Sequence, residues 1–143
     1  MTDSTSIRPF HLAFPVQDLK ETEIWYTTIL GCTTGRKSDK WIDFNFFGHQ
    51  LVAHLVKKKD DKMQSNMVDG DQVPSRHFGI VMEMLEWDAF VGELKSKKMD
   101  FLIQPQVRFK GEVGEQATFF ILDPFNNALE FKAFQNDGHI FNA

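Results

Sequence analysis

Two histidines, a carboxylate and a third histidine are spaced along this chain in a way that suits metal chemistry. His11 stands in the segment P-F-H-L-A-F-P-V (residues 9–16), and His77 opens a second segment, H-F-G-I-V-M, of the same form: His, apolar, small, apolar. His54 follows His11 in the first half of the chain much as Glu130 follows His77 in the second. Two imidazoles and one carboxylate on one side of an ion make the facial triad of non-haem Fe(II) sites, which leaves other coordination positions open. Ala13 and Gly79, two residues beyond His11 and His77 and on the same strand faces, would leave room for an ion and its ligands. Each histidine also has a structural reading, and Glu130 alone could be a solvated carboxylate paired to a neighbouring lysine. The recurrence of histidine at equivalent repeat positions is what favours a shared site.

These side chains need strands to hold them. The stretch Ala117–Phe134, A-T-F-F-I-L-D-P-F-N-N-A-L-E-F-K-A-F, reads as strand, turn and strand. Asp123-Pro124-Phe125-Asn126-Asn127 supplies the turn, since proline presets φ and asparagine tolerates the left-handed conformation. In the return strand Leu129, Phe131 and Ala133 share one face, while Ala128, Glu130 and Lys132 share the other. In residues 9–16, Phe10, Leu12 and Phe14 oppose His11 and Ala13, and Pro15 ends the strand or puts it at a sheet edge. Asp18 with Glu21 resembles a capping box for a first helix. Its apolar face is expected to be Leu19, Ile24, Trp25, Thr28 and Ile29, with Gly31 as the stop. Strands are expected at 32–36, 41–47 and 50–56, the last two joined by a turn at Gly48-His49.

After residue 77 the pattern returns. A helix carries Trp87, Phe90, Val91 and Leu94 on its inner face and Lys95, Lys97 and Lys98 at its C-terminal end, where the helix dipole favours cations. A strand begins at 101–103, residues 104–116 read as a Gly-containing loop, and the opening hairpin completes the unit. The prediction is an α+β fold of two βαβββ modules, packed as paired half-barrels around a metal-binding cleft, because neither half buries its sheet alone. Within one domain spanning 1–143, module one covers about 9–56 and module two about 77–134. Residues 57–76 read as a connecting loop with a solvated Lys57–Lys62 run, and 135–143 as a polar tail. Arg108 and Lys110, on the expected loop, are candidates to bind a substrate carboxylate, against the alternative of solvated loop charge. His49 and His139 read as exposed and idle.

Composition sets the limits. A length of 143 residues, 42% hydrophobic and 25% charged, fits one ordinary globular domain. A net charge of −4 argues against nucleic acid as a partner, and no apolar run approaches a membrane span. The first residues lack the basic and apolar regions of a signal peptide, so the expected location is cytoplasmic. The one cysteine, Cys32, excludes an internal disulfide and a Cys-based zinc site.

The segments F-H-L-A-F-P-V-Q-D-L, W-Y-T-T-I-L-G-C, H-F-G-I-V and T-F-F-I-L-D-P-F-N-N-A-L-E-F resemble the vicinal oxygen chelate superfamily of glyoxalase I, bleomycin-resistance proteins and extradiol ring-cleaving dioxygenases. The resemblance spans about residues 9–134 and is strongest to small one-domain extradiol-type proteins that carry G-H-Q, R-F-K-G-E and G-E-Q-A-T. It implies paired βαβββ modules cupping a metal, with His11, His77 and Glu130 matching the dioxygenase triad. The implied ion is divalent, Fe(II) foremost, with Mn, Zn or Ni as the others. Gln50, Trp41 and Gln116 are implied to line the pocket. Phe120 stands where extradiol enzymes often carry a tyrosine, and the only tyrosine, Tyr26, lies on the first helix.

His54 divides the possible activities. As an acid–base group beside a three-ligand ion it implies ring cleavage, with a small vicinal-dioxygen substrate and O₂ as partners. As a fourth ligand it implies a glyoxalase-type isomerase or lyase, in which the metal is a Lewis acid. A third expectation is a bleomycin-resistance type of binding protein that sequesters a small molecule; those generally lack the metal residues. The family likeness also implies a homodimer.

Overall fold

The computed structural model describes residues 7–58 and 63–142. The chain divides into two compact units, Met1–Lys59 and Asp60–Ala143. The first contains β1 (His11–Val16), α1 (Leu19–Thr28), β2 (Thr33–Lys37), β3 (Trp41–Phe46) and β4 (His49–Leu55). The second contains β5 (Ser65–Val68), β6 (Asp71–Pro74), β7 (Phe78–Val81), α2 (Met84–Ser96), β8 (Ile103–Arg108), β9 (Gln116–Leu122), β10 (Ala128–Phe134) and a 3₁₀ turn at Asp137–His139.

Each unit has an open four-stranded sheet of one topology, β1-β4-β3-β2 in the first and β7-β10-β9-β8 in the second. In both, the first strand pairs parallel to the last and the others are antiparallel. The two βαβββ modules are therefore real repeats. Pro15 sits within β1, an edge strand, where its missing N–H breaks no inner ladder.

One face of each sheet is covered by its helix. In module two, Trp87, Phe90, Val91 and Leu94 of α2 are buried as the periodicity predicts, and Phe119 and Phe131 stack at 5.5 Å beneath them. In module one the expected helix face is corrected. Thr22 and Tyr26 are the fully buried residues of α1, while Ile24 is 54% exposed. Tyr26 packs between Phe14 and Phe44, at 5.4 and 5.1 Å, and the Thr22 hydroxyl donates to the Asp18 carbonyl. Ranking by hydrophobicity misses this face because both buried residues carry hydroxyls. Asp18 does cap the helix, accepting from the Glu21 N–H. Among the described residues, no helix is long and apolar enough to cross a membrane.

Three further expectations change. The segment expected as a connecting loop holds the β5–β6 hairpin, while residues 59–62 of the charged run lie outside the described residues. Residues 104–108, expected as loop, extend β8, an edge strand whose register shifts between Ile103 and Gln106 around Pro105. The β3–β4 turn is Phe47-Gly48, both at positive φ, not Gly48-His49. His49 is not idle: its Nδ1 accepts the Phe10 N–H at 2.8 Å.

Candidate metal centre

On the helix-free face of module two, the pairing that brackets the site is Gly79 opposite Glu130 opposite Phe120. His77 precedes β7 by one residue, and its Nε2 lies 3.2 Å from Glu130 Oε1. Two ligands about 2.1 Å from an octahedral ion stand about 3 Å apart, so these two atoms have the spacing of neighbouring ligands. Each is held from behind. His77 Nδ1 donates to the Pro74 carbonyl at 2.7 Å, which sets the tautomer and leaves Nε2 free for a ligand. The Thr118 hydroxyl donates to Glu130 Oε2, leaving Oε1 toward His77. The Phe120 ring meets the imidazole edge-on at 5.0 Å.

The pair also shapes its own charge. The hydrogen bond to Glu130 raises the His77 pKa above its ordinary value, against the opposing effect of burial and with help from the Pro74 carbonyl. Burial alone would lift the Glu130 carboxyl. The bonds from His77 and Thr118, with Lys132 on the same face, outweigh it and hold that carboxyl below its ordinary value. Without a metal the two therefore favour an imidazolium–carboxylate pair.

In module one, His11 faces away from α1 on β1, exposed, and its Nδ1 donates to Gln50 Oε1 at 2.9 Å. Its Nε2 is thus also left for a ligand, by the same device. Gly79 has a different reason from the one expected. A Cβ there would lie 1.5 Å from the Glu130 carbonyl oxygen, so close backbone approach, not space for an ion, demands glycine.

The register corrects the equivalence of His54 with Glu130. Glu130 pairs with Gly79, two residues past His77; in module one the residue two past His11 is Ala13, which pairs with Val52. Val52 therefore occupies the position that corresponds to Glu130. His54 pairs with Pro15, on the same face but four residues along β4 from Gln50, roughly 13 Å at the rise of a strand. That separation from His11 puts it outside a shared coordination sphere.

The remaining expected residues divide. Gln50 orients His11, and Trp41 pairs with His54 on the same face, with the Arg36 guanidinium 5.5 Å from its ring. Lys110 is exposed in the turn after β8. Gln116, at the start of β9, donates to the Gly114 carbonyl of its own loop. Phe120 is buried against Val73 and Ile103. Arg108 is 3% exposed, with Nη1 on the Val68 carbonyl at 2.8 Å and Nη2 3.2 Å from Asp71 Oδ2.

Pro74 and Thr118 are supporting residues that the sequence does not mark. A threonine on a strand and a proline before a histidine are unremarkable until pairing places them against the ligands. Among the described residues no three His, Cys, Asp or Glu side chains form a ready-made cluster, so the His77–Glu130 pair is the nucleus of the candidate centre.

Comparison with known proteins gives the family and the fold. The family model for the Glyoxalase/Bleomycin resistance protein/Dioxygenase superfamily matches residues 8–131. A crystal structure of a glyoxalase/bleomycin resistance protein/dioxygenase from Alicyclobacillus acidocaldarius is 36% identical, with a TM-score of 0.80, over 93% of this chain and 96% of that one. The fold is shared at lower identity by the fosfomycin resistance protein FosX from Listeria monocytogenes (17%, TM-score 0.64, 97% and 98% covered). It is shared too by a lactoylglutathione lyase from Agrobacterium tumefaciens (15%, TM-score 0.66, 99% and 100% covered). Curated proteins give no match.

Proposed function

Since this chain belongs to the Glyoxalase/Bleomycin resistance protein/Dioxygenase superfamily, we propose that it is a divalent-metal enzyme acting on a small vicinal-dioxygen compound, as an extradiol-type ring-cleaving dioxygenase. Its ligands in this reading are His77 and Glu130, with His11 the third that the family resemblance implies. The donor set fits such an ion: two imidazoles whose Nδ1–H groups are already engaged, and a carboxylate oxygen at ligand spacing from one of them. When bound, the ion supplies Lewis acidity toward two substrate oxygens and, if it is Fe(II), a position for O₂.

The observation that carries the choice between activities is Val52. In the position matching Glu130, the first module offers an aliphatic side chain that cannot ligate. Three protein ligands on an octahedral ion leave three positions, enough for a chelating substrate and O₂; four leave two. The three-ligand count favours the dioxygenase over the glyoxalase-type isomerase or lyase.

The other groups act on substrate. His54, on the face it shares with His11, takes the proton that a substrate hydroxyl loses on binding and returns it to product. Trp41 beside it offers a flat apolar wall for a ring. Of Arg108 and Lys110, the exposed Lys110 is the one left for a substrate carboxylate, because the Arg108 guanidinium is engaged with Asp71 and Val68.

Metal analysis of protein purified without oxygen tests this reading. Iron near one per chain supports it, whereas nickel or zinc with no iron supports the isomerase or lyase. His77→Ala should take up no metal; unchanged stoichiometry defeats the ligand set.

A further inference from the structure

Arg108 is a buried cation with no part in the chemistry above. Its environment ties it to the β5–β6 hairpin. Nη1 donates to the Val68 carbonyl at the end of β5, and Nη2 pairs at 3.2 Å with Asp71 at the start of β6, without hydrogen-bond geometry. Gln106, two residues earlier on the same strand, donates to the same Asp71 oxygen. Val68 and Val73 of the hairpin pack onto Ile103 and Phe120 of the sheet. The outer residues Ser65, Asn66, Met67 and Gln72 are exposed, so the hairpin's hold on its module comes from these inner contacts.

The far end of the hairpin reaches the metal ligand. Pro74, the last residue of β6, presents the carbonyl that accepts His77 Nδ1–H, and Phe120 meets the His77 ring edge-on. The carbonyl that holds the imidazole from behind therefore lies where the hairpin puts it. We propose that Arg108 is a positioning residue for His77: by seating the β5–β6 hairpin through Val68 and Asp71, it fixes the Pro74 carbonyl that sets the tautomer and aim of the imidazole. This rests on the reading of His77 as a metal ligand.

The experiment compares Arg108→Met, which keeps side-chain length without the guanidinium, with Asp71→Asn, a milder change at a partly exposed residue. Trp87→Phe is the control. It removes the indole donor to the Phe131 carbonyl on the opposite face, destabilising the module without touching the hairpin. Two quantities are measured: the ¹⁵N ring shifts of His77 in metal-free protein at a pH high enough to make the ring neutral, where they report its tautomer, and Zn(II) affinity by chelator competition. Arg108→Met should show mixed tautomers and bind zinc roughly 10–100-fold more weakly, the usual cost of losing support behind a ligand. Asp71→Asn should move both readouts the same way by less, and it decides the matter if Arg108→Met does not fold. Trp87→Phe should lower the melting temperature and leave both unchanged.

Wild-type tautomer and zinc affinity in both hairpin variants would overturn the proposal. Should wild-type protein bind no zinc, the ligand reading of His77 fails instead, and the tautomer comparison still decides the role of the hairpin.

Discussion

Replacing Gly79 with alanine puts one methyl group against the backbone of Glu130. The added Cβ would sit 1.5 Å from the Glu130 carbonyl oxygen and 2.5 Å from its carbonyl carbon, whereas real Cβ contacts essentially never fall below 3.0 Å. The obstruction is backbone in a central strand, not a flexible side-chain end, so β7 must move away by at least the missing 1.5 Å. A hydrogen bond of about 2.9 Å stretched by that much is lost. β7 has only four residues, and its ladder continues into the Met82 N–H to Lys132 carbonyl bond at 2.7 Å. Losing two or three such bonds at about 1 kcal/mol each, with imperfect repacking, gives a loss of roughly 2–4 kcal/mol. For a chain of this length that lowers the melting temperature by roughly 6–15 °C. The same movement carries His77, two residues upstream, away from Glu130, so metal affinity should fall with stability. Thermal denaturation of metal-free protein and zinc titration by chelator competition measure the two effects. A Gly79→Ala protein with wild-type melting temperature and zinc affinity would refute the claim that glycine is required here by backbone approach.

Other outcomes follow from the same geometry. In metal-free protein, the depressed Glu130 contributes stability that is present above its unfolded value near 4.5 and is lost as pH falls through its folded value. The raised His77 contributes stability present below its unfolded value near 6.5 and lost as pH rises through its folded value. The stability difference between wild type and Glu130→Gln, from urea denaturation across pH 3 to 9, should therefore peak between those values; a flat difference counts against the pair. His54→Ala should keep full metal content and lose turnover by about 10²–10⁴-fold, the range for a lost acid–base group; metal loss would restore it as a ligand. Burial pushes the Cys32 thiol up to about 12, so iodoacetamide at pH 8 should label unfolded protein only.

The parts of this protein readable along the chain are those set by neighbours in sequence. Alternation placed Glu130 opposite Leu129, Phe131 and Ala133, and the structure keeps it there. The Asp123–Asn127 turn closes as its composition implies: the Asp123 carboxylate accepts from the Phe125 and Asn127 N–H groups, and Asn126 adopts positive φ. The repeated His-apolar-small-apolar segment marked two modules whose sheets share one strand order. Each of these depends on a period of two, a turn dihedral or a cap, all fixed within a few residues.

Pairing between distant strands decided the rest. Only the register of β1 on β4 shows that Val52, not His54, matches Glu130, because a shift of two residues keeps every side chain on its face and leaves the alternation pattern unchanged. Only the docking of the β5–β6 hairpin turns Arg108 from loop charge into a buried anchor and makes the Pro74 carbonyl the partner of His77. Face was local information, whereas register and docking come from contacts between residues dozens of positions apart, and a single chain read in order carries no trace of them.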